Sequence, residues 1–287
     1  MNDDFKICLK TECFNLKYTL ECGQCFRWKK VDEIDNVYIG VINDRVIKIK
    51  QEGDNIYASS NNLENLENII KNYFDLNRDY KGIEKKIELI DEHVKTAVKR
   101  SSGIRILNQD FFETLISYII SANNNIPRIS KSVNEISKRY GKKIKYDGEE
   151  YYLFPTSEQL KNVTIEEYRD CGVGFRDKYI YNTVRAINSG EFNLDEIKDL
   201  PTNLLREKLL SLMGIGPKVA DCILLFSCGR QEVFPIDVWV ERVMKKLYFK
   251  EENVSKKEIL KYSNDNFGSD AGIIQQHLFY NIRENLI

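Results

Sequence analysis

Residues 213–226 read MGIGPKVADCILLF, and residues 234–239 read FPIDVW. Between them they hold an amine and a carboxylate placed where chemistry is possible. Gly214-Ile215-Gly216 is a tight turn, and Pro217 suits the first position of a helix because its missing N–H would be unpaired there. Lys218 comes next. The first turn of a helix is its positive end, and lysine seldom sits deep beside a core-like run such as VADCILLF. Both settings disfavour the ammonium and favour the neutral amine, a nucleophile. Asp237 stands before the helix predicted from Val238. It can cap that helix, and its carboxylate can also stabilise positive charge that develops on a substrate. The glycine turn has two readings, an ordinary helical hairpin or a surface whose backbone N–H groups face an anion.

These residues need a scaffold, and its pattern changes along the chain. In the first hundred residues CFRWKKV, VYIGVI, RVIKIKQ and NIYASS are β-branched or aromatic runs separated by the turn residues Asn43-Asp44 and Gly53-Asp54-Asn55. They predict an antiparallel meander, followed by helices over NLENLENIIKNYFDL and IEKKIELIDEHVKTAVKR. From about residue 105 helical patterns dominate: DFFETLISYIISA, IPRISKSVNEISKRY, RDKYIYNTVRAIN, PTNLLREKLLSLM, PKVADCILLFS, IDVWVERVMKKLY and SDAGIIQQHLFYNIRE. GKKIKYDGEEYY reads as a polar loop. The expected fold class is α+β. An N-terminal antiparallel sheet domain with flanking helices covers 1–100, and an all-helical domain covers 101–287, with two helices hinged at the glycine turn over about 202–227.

The 287 residues are 42% hydrophobic and 30% charged, with a formal net charge of −1, as in a globular protein. The N-terminus MNDDFKICLKTECF lacks the pattern of a signal peptide, and no apolar run reaches the ~20 residues of a membrane span. The expected location is the cytoplasm, on the nucleoid if the source is prokaryotic. Charge is uneven: between His93 and Lys145 basic residues outnumber acidic ones, which fits either a solvated surface or a face for a polyanion. The seven cysteines are scattered. Cys22 and Cys25 have C-x-x-C spacing, but a redox motif would open a helix, whereas the FRW that follows reads as a strand. Zinc held by Cys8, Cys13, Cys22 and Cys25 is conceivable from spacing alone.

The glycine hairpin, Lys218 and the Pro235-x-Asp237 segment together resemble the helix-hairpin-helix DNA glycosylase superfamily. Members with an iron–sulfur cluster carry four cysteines after the aspartate helix. Here the last cysteine is Cys228, so the resemblance excludes that branch. Across nearly the whole chain it is 8-oxoguanine DNA glycosylase that the sequence resembles, in four more segments. Cys22-Gly23-Gln24-Cys25-Phe26-Arg27-Trp28 looks like the family's G-Q-x-F-R-W. Ser121-Ala122-Asn123-Asn124-Asn125-Ile126-Pro127-Arg128 looks like its asparagine triplet. Cys171-Gly172-Val173-Gly174-Phe175-Arg176 is similar to G-x-G-Y-R, and Ala271–Phe279 to its C-terminal helix.

The resemblance implies a role for each. Lys218 attacks the sugar C1′ and forms a Schiff base, with Asp237 assisting. The base pocket is built by Gly23, whose carbonyl accepts from N7–H of 8-oxoguanine, by Cys222 and Phe279 on the two base faces, and by Gln275 on the Watson–Crick edge. Gln275 and Phe279 are i and i+4, as are Lys218 and Cys222, so each pair shares a helix face. Asn123 fills the hole left by the flipped nucleotide. Arg128 and Arg176 hold the orphaned cytosine, and Phe175, in place of the usual tyrosine, wedges between bases. Gly214 and Gly216 face a DNA phosphate. Trp239 stands where many relatives place a phosphate-binding histidine, which shifts that contact toward Arg242.

By composition alone Gly23 would be a turn glycine, the asparagines a helix cap and loop, and Phe175, Cys222 and Phe279 core. The resemblance implies a bifunctional glycosylase and AP lyase without cofactor or catalytic metal. It acts as a monomer on double-stranded DNA with 8-oxoguanine opposite cytosine. A glycosylase for another lesion using the same Lys/Asp pair, and a non-catalytic DNA-binding hairpin, are the alternatives.

Overall fold

A computed structural model describes residues 5–34, 36–249, 251 and 253–286; the first four residues of the N-terminal stretch read above lie outside them. The N-terminal part is a five-stranded antiparallel sheet in the order β1-β5-β4-β3-β2, with β1 (Ile7–Lys10), β2 (Lys29–Asp32), β3 (Val37–Ile42), β4 (Arg45–Glu52) and β5 (Asn55–Ser60). The meander over β2–β5 follows the predicted runs. Asn43 and Gly53, both at positive φ, make its tight turns. One face of the sheet packs with α1 (Leu16–Glu21) and α2 (Leu66–Tyr73) around Ile47, Ile49, Ile56, Leu66 and Phe74.

The expected first strand, CFRWKKV, begins only at Lys29. Residues 25–28 turn between two cores instead: Cys25 is buried with the sheet and Phe26 with the helices. Trp28 lies so close over Gly40 that a Cβ there would meet the indole, and its Nε1 donates to Tyr73 Oη at 2.9 Å. Tertiary packing overrides strand propensity at these positions. Strand β1 and helix α1 were not foreseen.

Helices α3 (Tyr80–Ile87) and α4 (Glu92–Ser101) lead into the helical part. There α5 (Phe111–Ser121), buried along nearly its whole length, lies in the middle and packs against α11 (Pro217–Cys228). Around them are α6 (Ile126–Tyr140), the short α7 (Ser157–Leu160) and α8 (Ile165–Tyr168), α9 (Asp177–Asn188), α10 (Thr202–Ser211), α12 (Val238–Met244), α13 (Lys256–Asn266) and α14 (Ala271–Arg283). Helix α13 was not foreseen. The stretch GKKIKYDGEEYY is not a loop but a hairpin, Lys143–Tyr146 paired with Glu149–Tyr152. Asp147 and Gly148, at φ 51° and 78°, are its two turn residues. That is the Asp-Gly signature of a type I′ turn, which outweighs the low apolar content of the strands.

Two buried polar networks join the parts. Gln24, fully buried, donates from Nε2 to the carbonyls of Thr19 and Arg105 at 3.0 and 2.7 Å, and accepts from Leu107 N at 2.9 Å. This fixes the Gly23 turn against the segment that enters α5. Behind it, His277 Nδ1 lies 2.8 Å from Ser101 Oγ, and Asn281 Nδ2 donates to Ala97 O at 3.0 Å, fastening α14 to α4.

Burial pulls the His277 imidazole down to about 4, against the weaker opposing pull of Glu84. The folded chain therefore refuses a proton that the unfolded chain takes up near pH 6.5. Stability from this residue is present above pH 6.5 and lost as pH falls toward 4. Urea midpoints measured from pH 7 to pH 4 will fall more steeply for wild type than for His277→Leu, whatever the absolute stability of the variant.

Candidate active site

The turn Leu212–Gly216 joins α10 to α11 at an angle set by Gly214. Its φ is 85°, and a Cβ at this position would run into the ring of Tyr179. Gly216 differs: its backbone is extended, at φ −96° and ψ 176°, and open space lies where a Cβ would be. Of the two hairpin glycines only Gly214 adopts positive φ. Gly216 is the N-cap of α11, Pro217 follows it, and no side chain caps the helix. An ion pair between Arg206 on α10 and the buried Asp221 on α11 clamps the two helices.

Lys218 is half-buried in the first turn of α11, with Nζ 5.2 Å from the centroid of Tyr118. One turn on is Cys222, buried on the same face. Burial pushes its thiol up to about 11, and Lys218 counteracts this only in part. Cys222 is thus a neutral, compact apolar surface rather than a thiolate.

Asp237 is the N-cap of α12, and its Oδ1 accepts from Trp239 N at 2.9 Å and Val240 N at 2.8 Å. Both capping bonds use Oδ1, so Oδ2 is left for the cavity that Asp237 lines. From α14 come Gln275, buried, and Phe279, half-buried with the Arg283 guanidinium 5.4 Å from its ring centroid.

One cavity of about 320 Å³, counting its open mouth, is lined by Gly23, Lys218, Cys222, Asp237, Gln275 and Phe279 together with Cys22, Tyr118, Phe226, Pro235 and Gln276. All six residues named from sequence for catalysis and the base pocket therefore meet in one place. Gly23 has φ 81°, and a Cβ on it would lie 3.3–3.5 Å from Arg283, Phe279 and Ile126, so glycine keeps this wall thin. The cavity lining combines the apolar side chains of Cys222, Phe226 and Phe279, the amides of Gln275 and Gln276, an amine and a carboxylate. It suits a planar heterocycle joined to a sugar.

Residues 6–115 match the family described as 8-oxoguanine DNA glycosylase, N-terminal domain, and residues 116–268 the HhH-GPD superfamily base excision DNA repair protein. The N-glycosylase/DNA lyase of Saccharomyces cerevisiae is 34% identical over 81% of this chain and 68% of its own, and the probable N-glycosylase/DNA lyase of Methanothermobacter thermautotrophicus 31% over 77% and 75%. The solved Clostridium acetobutylicum 8-oxoguanine glycosylase/lyase, bound to double-stranded DNA with cytosine opposite 8-oxoG, superposes with a TM-score of 0.91. It is 42% identical, covering 99% of this chain and 100% of that one. The chain belongs to the 8-oxoguanine DNA glycosylase family. The 3-methyladenine DNA-glycosylase of Archaeoglobus fulgidus, 22% identical with a TM-score of 0.80, shares the fold.

The residues that the family resemblance assigned to DNA lie outside the cavity. Within the asparagine triplet the three side chains differ. Asn124 donates to Ile120 O at 3.1 Å at the end of α5, and Asn125 caps α6 by accepting from Arg128 N. Asn123 alone is exposed in a left-handed conformation, at φ 52°. The cap-and-loop reading thus holds for all three, with Asn123 in the left-handed position just after the C-cap of α5. Arg128 is exposed in the first turn of α6.

Arg176 is buried, against the expectation of a free guanidinium. Of its five N–H groups four bond to the carbonyls of Ala122, Asn123 and Val173. Arg176 therefore sets the loop that carries Asn123, and one N–H remains for another partner. Phe175 is 59% exposed, not core, and its ring lies 4.3 Å from the Arg176 guanidinium and edge-on to Tyr179. Trp239 is half-buried under Arg242, whose guanidinium is 4.9 Å from the indole and exposed.

Cys22 and Cys25 are buried thiols facing the carbonyls of Thr19 and Leu20, and no metal-holding cluster occurs among the described residues. Sequence reasoning missed Gln24, Tyr118, Gln276 and Arg283 as parts of the site. The signals were slight: a glutamine beside the turn glycine, a tyrosine hydroxyl in an apolar helix, and two adjacent amides. The two hairpin glycines separate experimentally. Gly214→Ala will lose about 1–3 kcal/mol in urea unfolding, whereas Gly216→Ala, which meets no steric clash and changes only the N-cap, will lose about 0.5–1 kcal/mol and bind duplex DNA more weakly.

Proposed function

We propose that the chain is a bifunctional DNA repair enzyme that flips 8-oxoguanine out of duplex DNA, excises it and nicks the abasic strand. The observation that carries this reading is the meeting of Lys218, Asp237, Cys222, Gln275, Phe279 and Gly23 at one cavity. The amine of Lys218 attacks C1′, a C–N bond forms, and the glycosidic bond breaks with its electron pair leaving on the base. Opening of the sugar gives an imine. Loss of a C2′ proton then expels the 3′ phosphate by β-elimination. Asp237, held by its capping bonds, stabilises positive charge on the sugar and assists the proton transfers.

The base lies between Cys222 and Phe279 with its Watson–Crick edge at Gln275. N7–H of the oxidised base donates to the Gly23 carbonyl. Guanine brings a bare acceptor there, and two buried acceptors facing each other cost about 1–3 kcal/mol. Asn123 fills the vacated stack, Phe175 wedges the duplex, and Arg128 reads the orphaned cytosine with help from the last N–H of Arg176. Backbone N–H groups at Gly214 and Gly216 hold a phosphate, and Arg242 takes the contact that Trp239 cannot make. Because one copy supplies every pocket residue, a monomer suffices. The chemistry draws on side chains alone, and the work belongs where the DNA is, the cytoplasm and nucleoid in a prokaryote. Among the described residues no helix is long and apolar enough to cross a membrane.

Borohydride trapping on a duplex with one 8-oxoguanine opposite cytosine tests the reading. Wild type will form a covalent adduct and Lys218→Gln will form none. Asp237→Asn, which keeps the cap, will slow base release by roughly 10²- to 10⁴-fold. A wild-type protein that neither releases the base nor forms the adduct would refute the substrate assignment.

A further inference from the structure

Lys218 and Asp237 act at the sugar, but excision also leaves a charge at the other end of the broken bond. The electron pair of the C1′–N9 bond stays on the base, which departs as an anion. The walls that would surround it include Cys22, Cys222, Gln275, Gln276 and Phe279. None of these carries a charge, because burial pushes both thiols up to about 11. An anion without a partner in such surroundings is strongly disfavoured.

A cation stands just behind these walls. The Arg283 guanidinium lies 5.4 Å from the Phe279 ring centroid, and its Nη1 lies 3.3 Å from where a Cβ of Gly23 would be. The fork is fixed from the other side. Nη2 donates to Glu21 O, and Nε and Nη2 donate to Glu284 Oε1 at 3.0 and 2.9 Å. Glu284 is the counter-charge, but its side chain is 44% exposed against 18% for Arg283, so water screens the carboxylate more than the guanidinium. The Glu21 carboxylate is engaged elsewhere, accepting from Tyr38 Oη at 2.6 Å. Cys22 reports the field inside the cavity. Burial acts most strongly on its thiol, and of the influences that oppose burial the charge of Arg283 is the largest. The guanidinium is thus felt at a cavity wall that it does not itself line.

We infer that Arg283 stabilises the negative charge that gathers on the departing base, acting through the thin wall of Gly23 and Phe279 without touching the base. This deepens the 8-oxoguanine reading and rests on it. The test takes two single-turnover rates for each protein at saturating enzyme, on duplexes with cytosine opposite the site. One is release of 8-oxoguanine, which forms the anion; the other is nicking of a preformed abasic site, which does not. Arg283→Gln keeps a donor for Glu21 O and loses the charge, whereas Arg283→Lys keeps both. The ratio of release to nicking will fall about tenfold in the Gln variant, and the Lys variant will recover most of that loss. Equal ratios in the two variants would overturn the inference, because two donors of unlike charge would then act alike. Should the Gln variant fail to fold, Arg283→Met, also neutral, takes its place in the same comparison. A wild type that nicks abasic DNA yet releases no 8-oxoguanine would instead remove the substrate reading itself, and this inference with it.

Discussion

Helix α11 is buried from Val219 to Phe226 against α5, and its first turn is the part that reaches the cavity. This burial is the constraint on which the site depends. Eight consecutive buried residues fix the rotation and depth of the helix far more tightly than any contact of Lys218 could, because cores pack at the density of crystals. The lysine stem is then carried to one point beside Tyr118, with Cys222 a turn deeper. Gly214 sets the direction from which the helix arrives. Its approach to Tyr179 also ties the hairpin to the ring that supports Phe175, so the glycine turn and the exposed Phe175 ring are positioned by one packed contact.

The other walls reach the same point by different means. Asp237 arrives as a helix cap, so its place is fixed by two backbone N–H groups as well as by packing. Gly23 arrives through Gln24, whose amide holds three backbone partners. A group that must stay put during catalysis is best held by partners that play no part in it, and both residues meet that condition.

Much of this was legible in the sequence. The meander over β2–β5 and most of the long helices followed from periodicity and turn residues. Lys218, Cys222, Asp237, Gln275 and Phe279 followed from i, i+4 spacing and motif resemblance, and they do share a cavity. What escaped has physical causes. Residues 25–28 have strand propensity but are claimed by two cores at once. The strands around Asp147-Gly148 are too polar to announce themselves by hydrophobicity. Arg176 looked like a free cation because sequence cannot show that three carbonyls would gather around it. The division of labour within Asn123-Asn124-Asn125 depends on one left-handed backbone, and three identical side chains give no hint of which residue adopts it.

The pocket also joins the two ends of the described chain. The guanidinium of Arg283 donates to the carbonyl of Glu21, 262 residues earlier, and stacks on Phe279 beside the Gly23 turn. The chain thus joins α14 to the end of α1. It cannot close the slot for the base until that last helix docks on the turn near its beginning. Contacts of such long sequence separation form late. The cavity is therefore a property of the whole described chain, complete only when segments 262 residues apart have met.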